Sequence, residues 1–101
     1  MPYVRLCKAD AVPPGELKQF TVQGIEILVI NLNSQLYCLD ARCTHAGAPL
    51  AEGELTGDVV TCPWHGSKFR ITDGSVVRGP AENPLGLYQH ILKENQVFVE
   101  L

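Results

Sequence analysis

No apolar run in the 101-residue sequence approaches the roughly 18 residues that a membrane-spanning helix requires. The opening Met1-Pro2-Tyr3-Val4-Arg5 has neither the apolar core nor the cleavage site of a secretory signal. A cytoplasmic protein is therefore expected. Basic residues are few, 8 Lys and Arg against 11 Asp and Glu, and the net charge of −3 argues against nucleic acid, whose phosphates require basic faces. It suits docking to a basic protein patch. A phosphate-cradling glycine loop and a nucleophile motif are both missing, which removes support for a hydrolase or transferase. There is no internal repeat, and no stretch of helical length keeps a 3.6-residue period. Cysteine is limited to 4 residues. In a reducing compartment these remain thiols, so a metal or a cluster is a better use for Cys43 and Cys62 than a disulfide.

The chain is of a length for one domain, residues 1–101, and its 46% hydrophobic content with 9 Gly and 7 Pro describes a turn-rich globule. Tyr3–Leu6 reads as a first strand, followed by a loop from Asp10 to Gly15. Leu17–Val22 and Ile25–Ile30 flank Gln23-Gly24, the signature of a hairpin. Asn31–Gln35 reads as a turn and Leu36–Leu39 as a strand. Turn residues then surround a short Glu54-Leu55, and Val59–Thr61 leads into Cys62. Ser67–Thr72 and Ser75–Val77 make a small hairpin through Asp73-Gly74. Leu87–Leu92 and Val97–Leu101, joined by Lys93–Gln96, make a closing one. Short strands between turns predict an all-β fold, an antiparallel β-sandwich or barrel.

The stretch from Cys43 to His65 holds two ligand pairs, Cys43-Thr44-His45 and Cys62-Pro63-Trp64-His65, separated by residues 46–61. Each pair offers one thiolate and one imidazole, whereas a structural zinc finger typically groups thiolates in one close pair and imidazoles in another. A dinuclear iron–sulfur cluster can use the alternation: one iron takes both sulfurs, the other both nitrogens, and two sulfides bridge them. Gly47 and Gly66 would let backbone N–H groups approach the sulfides, and Pro49 and Pro63 would stiffen the loops. A zinc-stabilised binding module built on the same four side chains is the competing reading.

The pattern C-x-H, a spacer of this size, then C-x-x-H resembles the Rieske family, and Gly66-Ser67 and the proline-bearing Gly79–Leu85 extend the likeness. The resemblance implies one Rieske-type 2Fe-2S cluster in a subdomain of about residues 41–85, inserted in the β framework. It implies Cys43 and Cys62 on a buried iron, and His45 and His65 on an outer iron with imidazoles near the surface, where electrons would leave. It further implies a ferredoxin without catalytic activity of its own, carrying single electrons from an NAD(P)H-dependent flavoprotein reductase to an acceptor such as a ring-hydroxylating dioxygenase. The small subunit of an assimilatory nitrite reductase is the alternative within redox chemistry.

Around the ligands, Ala48 and Trp64 stand where high-potential relatives carry two cysteines forming a disulfide clamp. Phe69 replaces a tyrosine whose hydroxyl reaches a ligand sulfur in such relatives, while Ser67 keeps its hydroxyl. Fewer hydrogen bonds to sulfur stabilise the reduced cluster less, so a low potential is expected. Cys7 and Cys38 are expected as inert buried thiols and His90 as a non-ligand. Trp64 is expected either to shield the cluster, to form a docking surface or simply to pack in its loop. Glu52, Glu54 and Asp58 are read as steering groups for a basic partner or as a solvated turn.

Overall fold

The computed structural model describes residues 3–101, so the expectation that Met1 and Pro2 belong to the domain lies outside the described residues. Among the described residues ten antiparallel strands form three sheets. The sheet order β2-β3-β4 joins Leu17–Val22, Ile25–Leu32 and Gln35–Asp40. The order β1-β10-β9 joins Tyr3–Lys8, Gln96–Glu100 and His90–Lys93. A third sheet, β5-β6-β7-β8, consists of Glu54–Thr56, Val59–Thr61, Lys68–Arg70 and Val76–Arg78, and it falls in the chain between β4 and β9. The described residues contain no α-helix, only single 3-10 turns at Ala9–Ala11 and Leu50–Glu52.

The β2-β3-β4 sheet is buried on both faces, and β3 explains how. Successive strand residues point to opposite sides, and in Ile27–Ile30 that alternation divides the strand between two cores. Leu28 and Ile30 join Leu39, Leu50, Val60, Phe69 and Ile71 in a core beneath the ligand loops. Ile27 and Val29 join Cys38, Val12, Val97 and Val99 in a second core against β1-β10-β9. The run Ile-Leu-Val-Ile is therefore apolar without interruption because neither face meets water. Asn31, 7% exposed, closes this strand: its Nδ2 donates to the Val12 carbonyl at 2.8 Å, and its Oδ1 accepts from the Ser34 amide at 2.8 Å.

The expected hairpin around Gln23-Gly24 is present, with Val22 paired to Ile25. Two further turns are tighter than the sequence suggested. β3 and β4 run on to a Leu32–Gln35 pair closed by Asn33-Ser34, with φ of 54° and 71°. β9 and β10 close on Glu94-Asn95, with φ of 52° and 60°, rather than on four residues. Successive positive φ values twist a two-residue turn to match the strands it joins. The last hairpin also starts later than expected, at His90. Leu87 instead bridges singly to Leu39, and the Asp40 amide and Oδ2 engage the Gly86 carbonyl and amide at 2.9 and 2.7 Å.

Candidate cluster-binding site

The two loops that carry Cys43/His45 and Cys62/His65 are built alike. The first leaves the end of β4, and the second is the connection between β6 and β7, which pair at Thr61–Lys68. In each, the cysteine amide donates to the carbonyl five residues on: Cys43 to Ala48 at 2.9 Å and Cys62 to Ser67 at 2.7 Å. In each, the fourth residue after the cysteine is a glycine with positive φ, Gly47 at 75° and Gly66 at 78°. A side chain there would be strained, and the space around both Cβ positions is open. The equivalent closures turn both loops back and bring their histidines together. The rings of His45 and His65 meet edge to face with centroids 5.0 Å apart.

Burial separates the donors by type. Cys43 and Cys62 are each 3% exposed and belong to the core under the loops, whereas both histidines are exposed. Among the described residues no three His, Cys, Asp or Glu side chains converge as ligands of one ion would. Two buried sulfurs beneath two adjacent surface imidazoles suit a group that spreads its ligands over two metal atoms, with bridging atoms supplying the rest. The donor set thus fits a dinuclear cluster and fits a single tetrahedral zinc poorly.

The segment 79–85 ties the loops together. The Thr44 hydroxyl donates to the Asn83 carbonyl at 2.6 Å, and the Ala81 amide donates to Ser67 Oγ at 3.0 Å. Ser67 is wholly buried, and because its oxygen accepts, its hydroxyl hydrogen remains available to a further acceptor. Phe69, also wholly buried, sits two residues further on in β7 with no hydroxyl to offer. Ala48 is buried, whereas Trp64 is 58% exposed and so does not pack into its loop. Of the three acids, Asp58 pairs with Arg70 at 3.3 Å, while Glu52 and Glu54 line an open cleft of about 490 Å³ with Thr61, Cys62 and Pro63.

Sequence reasoning missed one anchor. Arg42, next to Cys43, donates from Nη1 to the Gly47 carbonyl at 2.9 Å and from Nε and Nη2 to the two Glu26 carboxylate oxygens at 2.7 and 3.0 Å. The hydrogen bond from Arg42 holds the Glu26 carboxyl below its ordinary range. The signal was faint: Glu26 is far from Arg42 in sequence, and only the β3–β4 pairing brings it alongside.

The remaining candidates lie elsewhere. His90 pairs with Val99 in the sheet β1-β10-β9, apart from both ligand loops. Its replacement by alanine should leave iron content and the visible spectrum unchanged, and loss of iron would give His90 a part in the site. Cys7 and Cys38 are buried in the second core. Burial, reinforced by Cys7, pushes the Cys38 thiol up from 9.0 to about 12. The neutral thiol is thus the form the fold favours; its contribution is complete below pH 9.0 and declines as pH rises toward about 12. Iodoacetamide at pH 8 should leave Cys38 unmodified in the folded protein and label it in urea, as read by peptide mass.

A Rieske [2Fe-2S] domain model matches residues 2–91, and the chain belongs to that family. The family's cofactor is one 2Fe-2S cluster, and the all-β architecture agrees with its fold. Among individual relatives, ferredoxin CarAc of Metapseudomonas resinovorans is 34% identical, covering 96% of this chain and 92% of the relative. The biphenyl dioxygenase ferredoxin subunit of Pseudomonas sp. (strain KKS102) is 33% identical, with 99% and 93% covered. In a solved complex of reduced oxygenase and oxidized ferredoxin in carbazole 1,9a-dioxygenase, a chain superposes with a TM-score of 0.89 at 34% identity, over 96% of this chain and 91% of that one. This chain is thus similar to ferredoxin components of dioxygenase systems. A chain named for the small subunit of an NADPH nitrite reductase superposes with a TM-score of 0.81 at 18% identity over both whole chains, a likeness of fold alone.

Proposed function

We propose that the protein is a one-electron carrier of the cytoplasm that passes electrons from an NAD(P)H-dependent flavoprotein reductase to a terminal oxygenase, and that it is not an enzyme by itself. The observation that carries this reading is the edge-to-face contact of two exposed histidines on two equivalently closed loops whose cysteines are buried in one core. Cys43 and Cys62 would hold the inner iron, and His45 and His65 the outer one, within a subdomain of about residues 41–85. When bound, the 2Fe-2S cluster supplies a reversible one-electron couple.

The protein's own residues set what that couple can do. The cysteines keep one end out of water, and the imidazoles stand at the surface, where a redox partner can approach. Trp64 lies between two of the ligands in sequence and presents an exposed aromatic face beside them, a residue type enriched at protein interfaces. Two clefts, one lined by Glu26, Asp40, Ala41 and Arg42 and the other by residues 52–54 and 61–63, have neither histidine in their walls. The likeness to a biphenyl dioxygenase ferredoxin subunit at 33% identity and to a chain of the carbazole 1,9a-dioxygenase complex at 34% supports an oxygenase as acceptor more than a nitrite reductase.

The test is an electron paramagnetic resonance spectrum of the anaerobically purified protein after reduction. Mixed His/Cys ligation gives a signal distinct from that of an all-Cys cluster. A silent sample with stoichiometric zinc and no sulfide would overturn the reading. With Phe69 in place of a hydroxyl-bearing residue, the midpoint potential should fall near −150 mV, the lower end of the roughly −150 to +300 mV Rieske range. A value above about +100 mV by protein-film voltammetry would contradict the hydrogen-bond argument.

A further inference from the structure

The two ligand loops share one anchor, the segment 79–85, but the first has another in a different sheet. That anchor is Arg42. Its guanidinium faces two ways: Nη1 holds the Gly47 carbonyl, while Nε and Nη2 grip both oxygens of Glu26 on β3. Glu26 is itself held, since its Oε2 also accepts from Gln19 Nε2 on β2 at 2.9 Å. Gly47 is fixed from its other side too, because its amide donates to the Cys43 carbonyl at 2.9 Å. The short turn from Cys43 to Gly47, with His45 at its apex, is thereby clamped at the residue that closes it.

Resting on the reading that Cys43, His45, Cys62 and His65 hold a 2Fe-2S cluster, we propose that Arg42 is a positioning residue for His45, clamping the first ligand loop to the β2-β3-β4 sheet through Glu26. Only a planar fork can satisfy the carbonyl and both carboxylate oxygens together; a lysine ammonium keeps the charge but has a single nitrogen to share among them. Glu26 also balances the guanidinium, so the clamp adds little net charge beside a site whose reduced form is more negative. Geometry and charge can therefore be separated by substitution.

The pair is partly exposed, with side chains 51% and 34% accessible, and such surface pairs contribute little to folding. Arg42→Gln, Arg42→Lys and Glu26→Ala are compared with the wild-type holoprotein by pulsed electron paramagnetic resonance of the two histidine nitrogen couplings and by the rate of cluster loss to a chelator. In Arg42→Gln one coupling should shift while the other stays, and cluster loss should quicken roughly ten-fold, a typical effect of removing an outer support of a metal ligand. Arg42→Lys should resemble Arg42→Gln despite its charge. Glu26→Ala cuts the other end of the clamp and should move the same coupling, while raising the midpoint potential because the guanidinium loses its counter-charge. Wild-type couplings and loss rates in Arg42→Gln, or full rescue of both by Arg42→Lys, would overturn the proposal. A wild-type protein without a mixed His/Cys signal would instead remove the cluster reading, and the proposal with it.

Discussion

Replacing Cys62 by serine should reduce iron from about two atoms per chain to near none, while replacing Cys38 by alanine should leave the iron in place. All four cysteines are buried thiols without disulfides, so burial alone does not distinguish them. Their surroundings do. Cys43 and Cys62 lie in the core under the exposed imidazoles, each at the start of a loop that turns back through a positive-φ glycine. Cys38 lies across the β2-β3-β4 sheet in the other core. A serine oxygen at position 62 is a poorer iron ligand than thiolate, and without a metal it places a hydroxyl in a site 3% exposed. Cys38→Ala removes one buried sulfur and should cost about 1 kcal/mol, the usual scale for a single substitution. Iron and sulfide analysis with circular dichroism reads both effects. Retention of the cluster in Cys62→Ser, or its loss in a folded Cys38→Ala, would place the site elsewhere.

The quartet Cys43, His45, Cys62 and His65 stands out as a candidate ligand set because its signal is local: two residue types, two short spacings and one intervening length. Most strands were legible for a similar reason, since β-branched residues between turn residues mark them whatever they pair with. The tight turns Asn33-Ser34 and Glu94-Asn95 were not recognised, because four non-glycine residues take positive φ there and composition does not announce it. Leu87 looked like strand by residue type, yet the Asp40–Gly86 contacts hold that segment in a single bridge to β4. Sheet order was beyond local reading: β1 pairs with β10, Tyr3 opposite Glu100, across nearly the whole chain. Arg42 falls in the same category. Its role depends on Glu26, which the β3–β4 hairpin brings near, and a lone arginine before a cysteine carries no mark of that.

Gly53→Ala should be far more damaging than Gly57→Ala, although the two glycines look alike in sequence as turn residues on either side of β5. Gly57 has φ of 58° with open space around its Cβ position, so alanine there meets only the backbone cost of a left-handed residue, about 1 kcal/mol. Gly53 has an ordinary φ of −84°, and its difficulty is space. A Cβ on Gly53 would overlap the Thr61 carbonyl oxygen and come within 3.2 Å of the Leu50 carbonyl oxygen. Both neighbours are backbone and cannot rotate aside. Thr61 pairs with Glu54 in the β5–β6 ladder and directly precedes Cys62, so relief of the clash must move the base of the second ligand loop. Overpacking of this kind costs about 3 kcal/mol. In a domain of about 100 residues that corresponds to a fall in Tm of roughly 15 °C. The same shift would displace Cys62 at the base of its loop, so the cluster content of whatever folds should fall as well. Thermal denaturation of both variants, with iron analysis, checks the argument: equal losses in the two would show that close approach at Gly53 does not hold the second ligand loop in place.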